Sequence, residues 1–327
     1  MLRRLIVFLF LAAPVSLQAA IWTELLGEYK RVSVRQLQPA DAAVWEEYGL
    51  EAAEEAVYRS DGQGFTATAY RLRDSTCGLA VFQWLSPKAG KQVVWIGLTA
   101  IESAGGTLAH HGNYVFHFQG GRPLAEVAQT MFSLLPRVEL SPLPVLPGYL
   151  PSQGMIGDSR RLVIGPASLA SFEPRIPPAA AAFSLGAEGQ LARYNSPAGT
   201  LGLALFSYPT PNIARKQAEE FQKLPGAVVK RSGPLVAIIL SPPDPNEAER
   251  LLAKVNYNAT ITWNEQMPQD EGNIGDFLIA VFKLIGLMIG FTLLAGAAFA
   301  GLRILRRRLL GESALDEVMV RLHLEDR

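Results

Sequence analysis

Gly78-Leu-Ala-Val-Phe-Gln-Trp-Leu-Ser-Pro87 and Gly202-Leu-Ala-Leu-Phe-Ser-Tyr-Pro-Thr-Pro211 are the stretches on which the fold of this 327-residue chain turns. They match at an offset of 124 residues, and Gly112-Asn-Tyr-Val-Phe-His-Phe118 aligns with Gly233-Pro-Leu-Val-Ala-Ile-Ile239 at an offset of 121. Beyond each of the latter pair a proline opens an amphipathic helix, Pro123 and Pro245, 122 residues apart. Three elements in one order at near-constant spacing read as an internal repeat. The expected fold is α+β: two diverged copies of an antiparallel-sheet-plus-helices domain, followed by one C-terminal transmembrane helix.

The second copy, residues 155–265, has the clearer pattern. Gln190 to Tyr194 and Leu201 to Tyr208 read as strands across the turn Asn195-Ser-Pro-Ala-Gly199. Asn212 to Leu224 reads as a helix with Ala214, Ala218 and Phe221 on one side and Pro225-Gly226 as its stop. Ala227 to Lys230 and Leu235 to Leu240 make a hairpin, and Asp244 caps a last helix that starts at Pro245 and buries Ala248, Leu251, Leu252 and Val255. The first copy, residues 21–140, repeats this with a hairpin at Asp61-Gly62-Gln63-Gly64 and strands at Leu79–Leu85 and Tyr114–Phe118. Its closing helix carries Leu124, Val127, Ala128, Met131 and Leu135 on one side. Lys88 to Gly106 departs from the plan, because Val93-Val94-Trp95-Ile96 and a double Gly stand where the repeat asks for a helix. A Pro-rich connector, residues 141–154, separates the copies, and residues 266–276 form a polar stalk.

Two apolar segments set the topology. Met1-Leu2-Arg3-Arg4, an apolar run to Ala13 and the small residues Ala19 and Ala20 describe a signal peptide over residues 1–20, cut after Ala19 or Ala20. No Cys stands near the cut, so lipid attachment there is not expected. From Leu284 to Leu302 no charge interrupts the chain, which at ~1.5 Å per residue covers about 28 Å of hydrocarbon. A transmembrane helix over residues 277–305 follows, with Lys283 near its outer end placed to snorkel. Arg303, Arg306, Arg307 and Arg308 mark the cytoplasmic flank, while Asp270, Glu271 and Asp276 flank the other side. The N-terminal body is thus expected outside the cytoplasm, with the bilayer as one partner and a tail, residues 306–327, inside. Leu315, Val318, Met319 and Leu322 give that tail one apolar helical face. Gly286 and Gly290 form a GxxxG, repeated in kind by Ala297 and Gly301; the spacing suits a homodimer and is also ordinary in any Gly/Ala-rich span.

Thirty basic against thirty acidic residues leave no basic footprint for a nucleic-acid partner, and one Cys excludes an intramolecular disulfide and a multi-Cys zinc site. HExxH, GxSxG and P-loop signatures are missing, and Gly62-Gln63-Gly64 and Gly90-Lys91 are fragments of phosphate-binding loops only. His110, His111 and His117 cluster in sequence, but on one strand His111 and His117 would stand roughly 20 Å apart, too far for one metal. A Cys77–His111 pair with Asn113 nearby is the one nucleophile arrangement conceivable. Glu46, Glu47, Glu51, Glu54 and Glu55 fit the solvated face of a helix or a helix–strand junction. Trp84 and Tyr208 fall at matching places in the repeat, Phe82 with Trp84 and Phe206 with Tyr208 sharing strand faces, which reads first as core packing; if the copies pack as a pseudo-dimer, a ligand would sit in the cleft between them. Asn258-Ala259-Thr260 fits a glycosylation acceptor. No catalytic, cofactor-binding or metal residue is assigned.

The run Phe172-Glu-Pro-Arg-Ile-Pro-Pro-Ala-Ala-Ala-Ala-Phe183, with Gly202–Pro211 and Leu224-Pro-Gly-Ala-Val-Val-Lys-Arg-Ser-Gly-Pro234, resembles an uncharacterised bacterial family, a domain of unknown function. Its members have a signal peptide, an exported body and often a C-terminal membrane helix, which implies the bacterial cell envelope and carries no catalytic residues. The expected role is a membrane-tethered extracytoplasmic module, single-pass in the cell membrane, that binds an envelope protein or a small ligand. The alternatives are an envelope enzyme built on His111, Asn113 and nearby carboxylates, or a signalling or assembly factor acting through the tail.

Overall fold

The computed structural model describes residues 20–257 and 274–310. The first span belongs to one compact unit, and the second is a single helix of another. The expected signal peptide as far as residue 19, the glycosylation acceptor expected at Asn258, residues 259–273 and the expected tail beyond residue 310 lie outside the described residues.

Two antiparallel sheets build the first unit. The larger runs β1 (Leu25–Leu26), β2 (Tyr29–Gln36), β3 (Leu50–Ser60), β4 (Gln63–Leu72), β8 (Tyr114–Gln119), β7 (Gly106–His111), β6 (Leu98–Ser103) and β5 (Lys91–Trp95) in spatial order. Helix α1 (Ala42–Glu47) precedes β3, α2 (Ser75–Leu85) follows β4, and α3 (Ala125–Ser133) follows β8. The smaller sheet runs β12 (Ala227–Ser232), β13 (Leu235–Leu240), β11 (Gly199–Ser207), β10 (Glu188–Ser196) and β9 (Arg161–Val163). With it come α4 (Pro166–Phe172), α5 (Pro178–Ala181), α6 (Pro211–Gln222) and α7 (Pro245–Ala253).

The second half follows its sequence pattern closely. Thr210 caps α6 by accepting from Ile213 N at 3.3 Å, and Asp244 caps α7 by accepting from Asn246 N at 2.9 Å. In between, α6 buries Ala214, Gln217, Ala218 and Phe221, its apolar stripe laid on one face of the small sheet. On the opposite face α7 packs Ala248, Leu251 and Leu252 against Leu203, Leu205, Ala237 and Ile239. Leu146 and Leu150 of the Pro-rich segment join that same core layer.

The stretch at Leu79–Leu85 is not a strand: it lies within α2. The Asp74 carboxyl accepts from Cys77 N at 2.8 Å and so starts a helix there. That helix packs on β4, β7 and β8 of the large sheet and on β9 of the small one. Being covered on both sides, it buries Cys77, Gly78, Ala80, Val81, Phe82 and Gln83, and no polar stripe remains to reveal a 3.6-residue period. Gly78 fits because a Cβ there would stand 2.4 Å from the Gly112 carbonyl oxygen. Gly202, its supposed counterpart, is mid-strand in β11, so the matched decapeptides occupy different elements.

The two sheets nonetheless share an order of elements. Each is written hairpin, helix, hairpin, helix, and β3-β4-β8-β7 lie side by side as β10-β11-β13-β12 do. The start of α2 precedes that of α6 by 136 residues, whereas β8 precedes β13 by 121. The difference is the β5–β6 hairpin, which turns at Ile96-Gly97 and fills the segment Lys88–Gly106.

One face of the large sheet is paved with Ala52, Ala56, Ala67, Ala69, Ala100 and Ala109. Such small side chains leave room for the segment Ile21–Trp22 and for Met131 and Phe132 of α3 to lie directly on the strands. Trp22 sits edge-on to Tyr58, Phe116 and Phe118 at 5.9–6.5 Å between ring centres. Leu124, expected on the buried side of α3, precedes the helix and is exposed.

The sheets are clamped together through α1, α2, β9 and α4. Tyr48 Oη donates to Leu162 O at 2.6 Å, and Arg161 Nη1 donates to Gln83 O at 2.9 Å. The amide of Gln190 donates to Gln83 Oε1 at 3.0 Å. Around these bonds Trp45, Trp84, Phe172, Val81 and Leu162 form a continuous apolar cluster. The space between the halves is therefore core rather than a cleft.

In the second unit, α8 (Ile274–Leu310) runs for 37 residues, about 56 Å at 1.5 Å per residue. Leu278–Arg306, 29 residues whose most apolar 18-residue stretch has a mean hydropathy of 2.4, is long and apolar enough to cross a membrane. Its large side chains, from Leu278 to Leu309, are exposed all round.

Candidate functional site

The residues singled out in the sequence do not converge. His110 and His111 lie on β7, and the turn at Gly112-Asn113 carries His117 onto β8. His110 and His117 therefore face the α2 side, whereas His111 points the other way and stacks on Phe132 at 4.8 Å. His111 and His117 are thus on two strands of a hairpin rather than on one strand as expected. Cys77, on α2, is across the sheet from His111, and burial pushes its thiol up to about 12, opposite to what a nucleophile needs. Asn113 is spent on the backbone: its amide donates to Leu72 O and Arg137 O, and its carbonyl accepts from Glu139 N. Among the described residues no group of three or more His, Cys, Asp or Glu is placed to hold a metal.

Glu46 is exposed on α1, but the glutamates as a set do not form one solvated face, because Leu50–Ser60 is a strand and sends alternate residues to opposite sides. Glu47 crosses to the second half and caps α4, accepting from Ala167 N at 2.6 Å, Ser168 N at 3.0 Å and the Ser168 hydroxyl. Glu51 pairs with buried Arg71, Glu55 pairs with Arg35, and Glu54 is 1% exposed. Trp84 and Tyr208 do not correspond: the first is in the helix α2 among Trp45 and Phe172, and the second follows β11 with its hydroxyl donating to Ala181 O.

What the fold does form is a cleft of about 730 Å³ on the α6 side of the small sheet, where the helix layer stops short. Register defines its floor. Arg161, Leu191 and Ala204 are directly opposite one another across β9, β10 and β11, and the next rung pairs Arg193 with Gly202. Gly202 keeps that rung low: a Cβ there would meet nothing nearer than Arg175 at 3.7 Å. Ser171, Phe172, Glu173 and Arg175 make one wall, and Ile156, Asp158 and Ser159 another, with Lys88 reaching in from the end of α2.

Charge in the cleft is unevenly balanced. Arg175 is bidentate on Glu173, Nε to Oε1 at 2.6 Å and Nη2 to Oε2 at 2.8 Å, and the pairing raises its pKa. Arg161 is held by the carbonyls of Gln83, Asp158 and Arg160 with its guanidinium 6.0 Å from the Phe172 ring. Burial lowers its pKa, nearby Asp158 opposes that, and Arg193 adds to it, yet a guanidinium stays charged throughout. Lys88 and Arg193 make no ion pair among the described residues. A polar ligand bearing an anionic group complements this arrangement: Arg161 is a fixed, preoriented cation, and two exposed cations stand at the rim.

None of these four cations was singled out from sequence. The available signal is that the buried face of β10 reads Gly189, Leu191 and then Arg193, a charge that breaks the alternation at the point where the helix layer ends.

No family model and no curated protein matches the chain. Among solved structures, crystal form III of TP0453 is 10% identical, covering 62% of this chain and 80% of that one with a TM-score of 0.22. Crystal form I of TP0453 is 11% identical, covering 67% and 85% with a TM-score of 0.21. Scores of this size lie below those of a shared fold.

Proposed function

We propose that this chain is a membrane-tethered extracytoplasmic binding module of the bacterial cell envelope whose ligand, a small molecule or a partner segment with an anionic group, occupies the cleft over β10 and β11. The observation that carries the ligand class is the excess of cations in the lining, Lys88, Arg161, Arg175 and Arg193 against the carboxylates of Asp158 and Glu173. Anchoring rests on α8, and its orientation on Arg303, Arg306, Arg307 and Arg308 at one end, which hold that end in the cytoplasm. The leader-like N-terminus and the resemblance to an exported bacterial family support the same topology. The common hairpin–helix order of the two sheets supports descent from one duplicated unit, in the register that sets β4 against β11 rather than α2 against β11.

A photo-crosslinking amino acid at Thr200, exposed on the cleft floor, tests the binding role in the full-length protein in membranes. The module acquires a reproducible adduct there that is lost when Lys88 and Arg193 are both changed to Glu. An absence of adducts at Thr200, or adducts indifferent to the charge reversal, refutes the cleft as the ligand site.

A further inference from the structure

The chain passes from surface to core between Ala20 and Ile21. Ala20 is exposed, Ile21 and Trp22 are buried, and from there the segment is strapped down. Trp22 Nε1 donates to Glu54 O at 3.1 Å, Arg31 Nη1 to Trp22 O, and Tyr58 Oη to Thr23 O at 2.7 Å. At the point of entry Ile21 N donates to Glu54 Oε2 at 2.9 Å. The other oxygen of that carboxyl accepts from Gln36 Nε2 at 2.8 Å, and Glu54 has no salt bridge among the described residues. The buried guanidinium of Arg71 shares this face of the sheet but pairs with Glu51, and a carboxylate this deep is costly without a cation bonded to it.

The geometry points to the missing cation being the chain's own α-amino group: we infer that processing at the Ala20–Ile21 bond creates a new N-terminus whose ammonium pairs with Glu54 and locks the strap Ile21–Thr23 onto the large sheet. This rests on the exported topology proposed above. The step is a peptide hydrolysis by a signal peptidase. Water adds across the Ala20–Ile21 amide, the leader departs with a carboxylate on Ala20, and the Ile21 nitrogen takes up protons to become an ammonium already at 2.9 Å from Glu54 Oε2. Of the two cuts that the leader's small residues allow, only this one delivers the charge. A cut after Ala19 would leave the ammonium on exposed Ala20 and a neutral amide at Glu54. Processing would then do more than release the body from its leader: it would complete the core of the large sheet.

The test begins with the intact mass and N-terminal sequence of the full-length protein extracted from membranes. The expected N-terminus is Ile21. A start at Ala20 overturns the inference while leaving export intact, and a retained Met1 overturns the export reading itself. The second measurement is a cycle between Glu54→Gln and a chain made to begin at Ala20. In the Ile21-terminated protein Glu54→Gln lowers the unfolding midpoint by roughly 10 °C, as breaking a buried pair does, and in the Ala20-terminated protein by well under half of that. Equal losses in the two backgrounds would show that Glu54 acts only as an acceptor for an amide. Should Glu54→Gln fail to accumulate, the folded protein's α-amino group still reports: labelled by an amine reagent only after denaturation, it is buried as inferred, and labelled at once in the folded state, it is not.

Discussion

Replacing Gly78 by Ala sets two effects of opposite sign against each other. In a solvent-facing helix the change stabilises by ~1 kcal/mol, because Ala loses less backbone entropy on folding. In α2 the new methyl would lie 2.4 Å from the Gly112 carbonyl oxygen and 3.0 Å from His110 Nε2, and the first of these is backbone in a tight turn. Forcing a methyl into packed surroundings costs about 1–3 kcal/mol, and a clash with backbone falls in the upper part of that range, about 2–3, so the net is a loss of roughly 1–2 kcal/mol. For a unit of this size that is a fall of about 2–8 °C in Tm. The assay is thermal unfolding of the detergent-solubilised full chain followed by tryptophan fluorescence, which Trp22, Trp45 and Trp95 report from the core. Gly148→Ala is the control, since a Cβ there meets nothing within 4 Å. A rise in Tm for Gly78→Ala, of the size an open helix gives, would refute the close packing of α2 on the β7–β8 turn.

Protonation gives a second expectation. Burial pushes the His110 pKa down to about 4, below its unfolded value of 6.5, so the neutral ring contributes stability above pH 6.5 that is lost as pH falls toward 4. The loss amounts to about 3 kcal/mol, and a His110→Gln chain should show a flatter profile of Tm between pH 7 and 4; an unchanged profile removes His110 as its source. Glu47→Ala leaves two amide donors of α4 and the Ser168 hydroxyl without their acceptor, which predicts a loss of about 1–3 kcal/mol in chemical denaturation. Gly202→Leu should fill the cleft floor and abolish the Thr200 adduct while moving Tm by less than about 3 °C, because its neighbours leave space; retention of the adduct would place the ligand elsewhere.

Legibility differed between the halves for a physical reason. The helices α6 and α7 each bury one side and wet the other, so their caps and stripes stand out in the chain, and β10 to β13 alternate or run apolar between turn residues. The helix α2 has two buried sides, and its run Gly78–Leu85 carries no period by which a helix differs from a strand. Misreading it matched a helix to a strand, and with that match went the supposed equivalence of Trp84 and Tyr208. The glutamates from Glu46 to Glu55 gave no hint that one caps a helix 120 residues away, since that depends on where α4 comes to rest.

Local composition by itself determined the apolar span, its Arg-rich flank, the leader-like start and the alternation of sheet and helix, because each is a property of neighbouring residues in water or lipid. Where Arg161, Arg175, Arg193 and Lys88 meet, and which glutamate ends beside Ile21, only the tertiary structure decided. Strand register and helix docking place residues far apart in the chain within a few ångströms of one another, and no local preference encodes that.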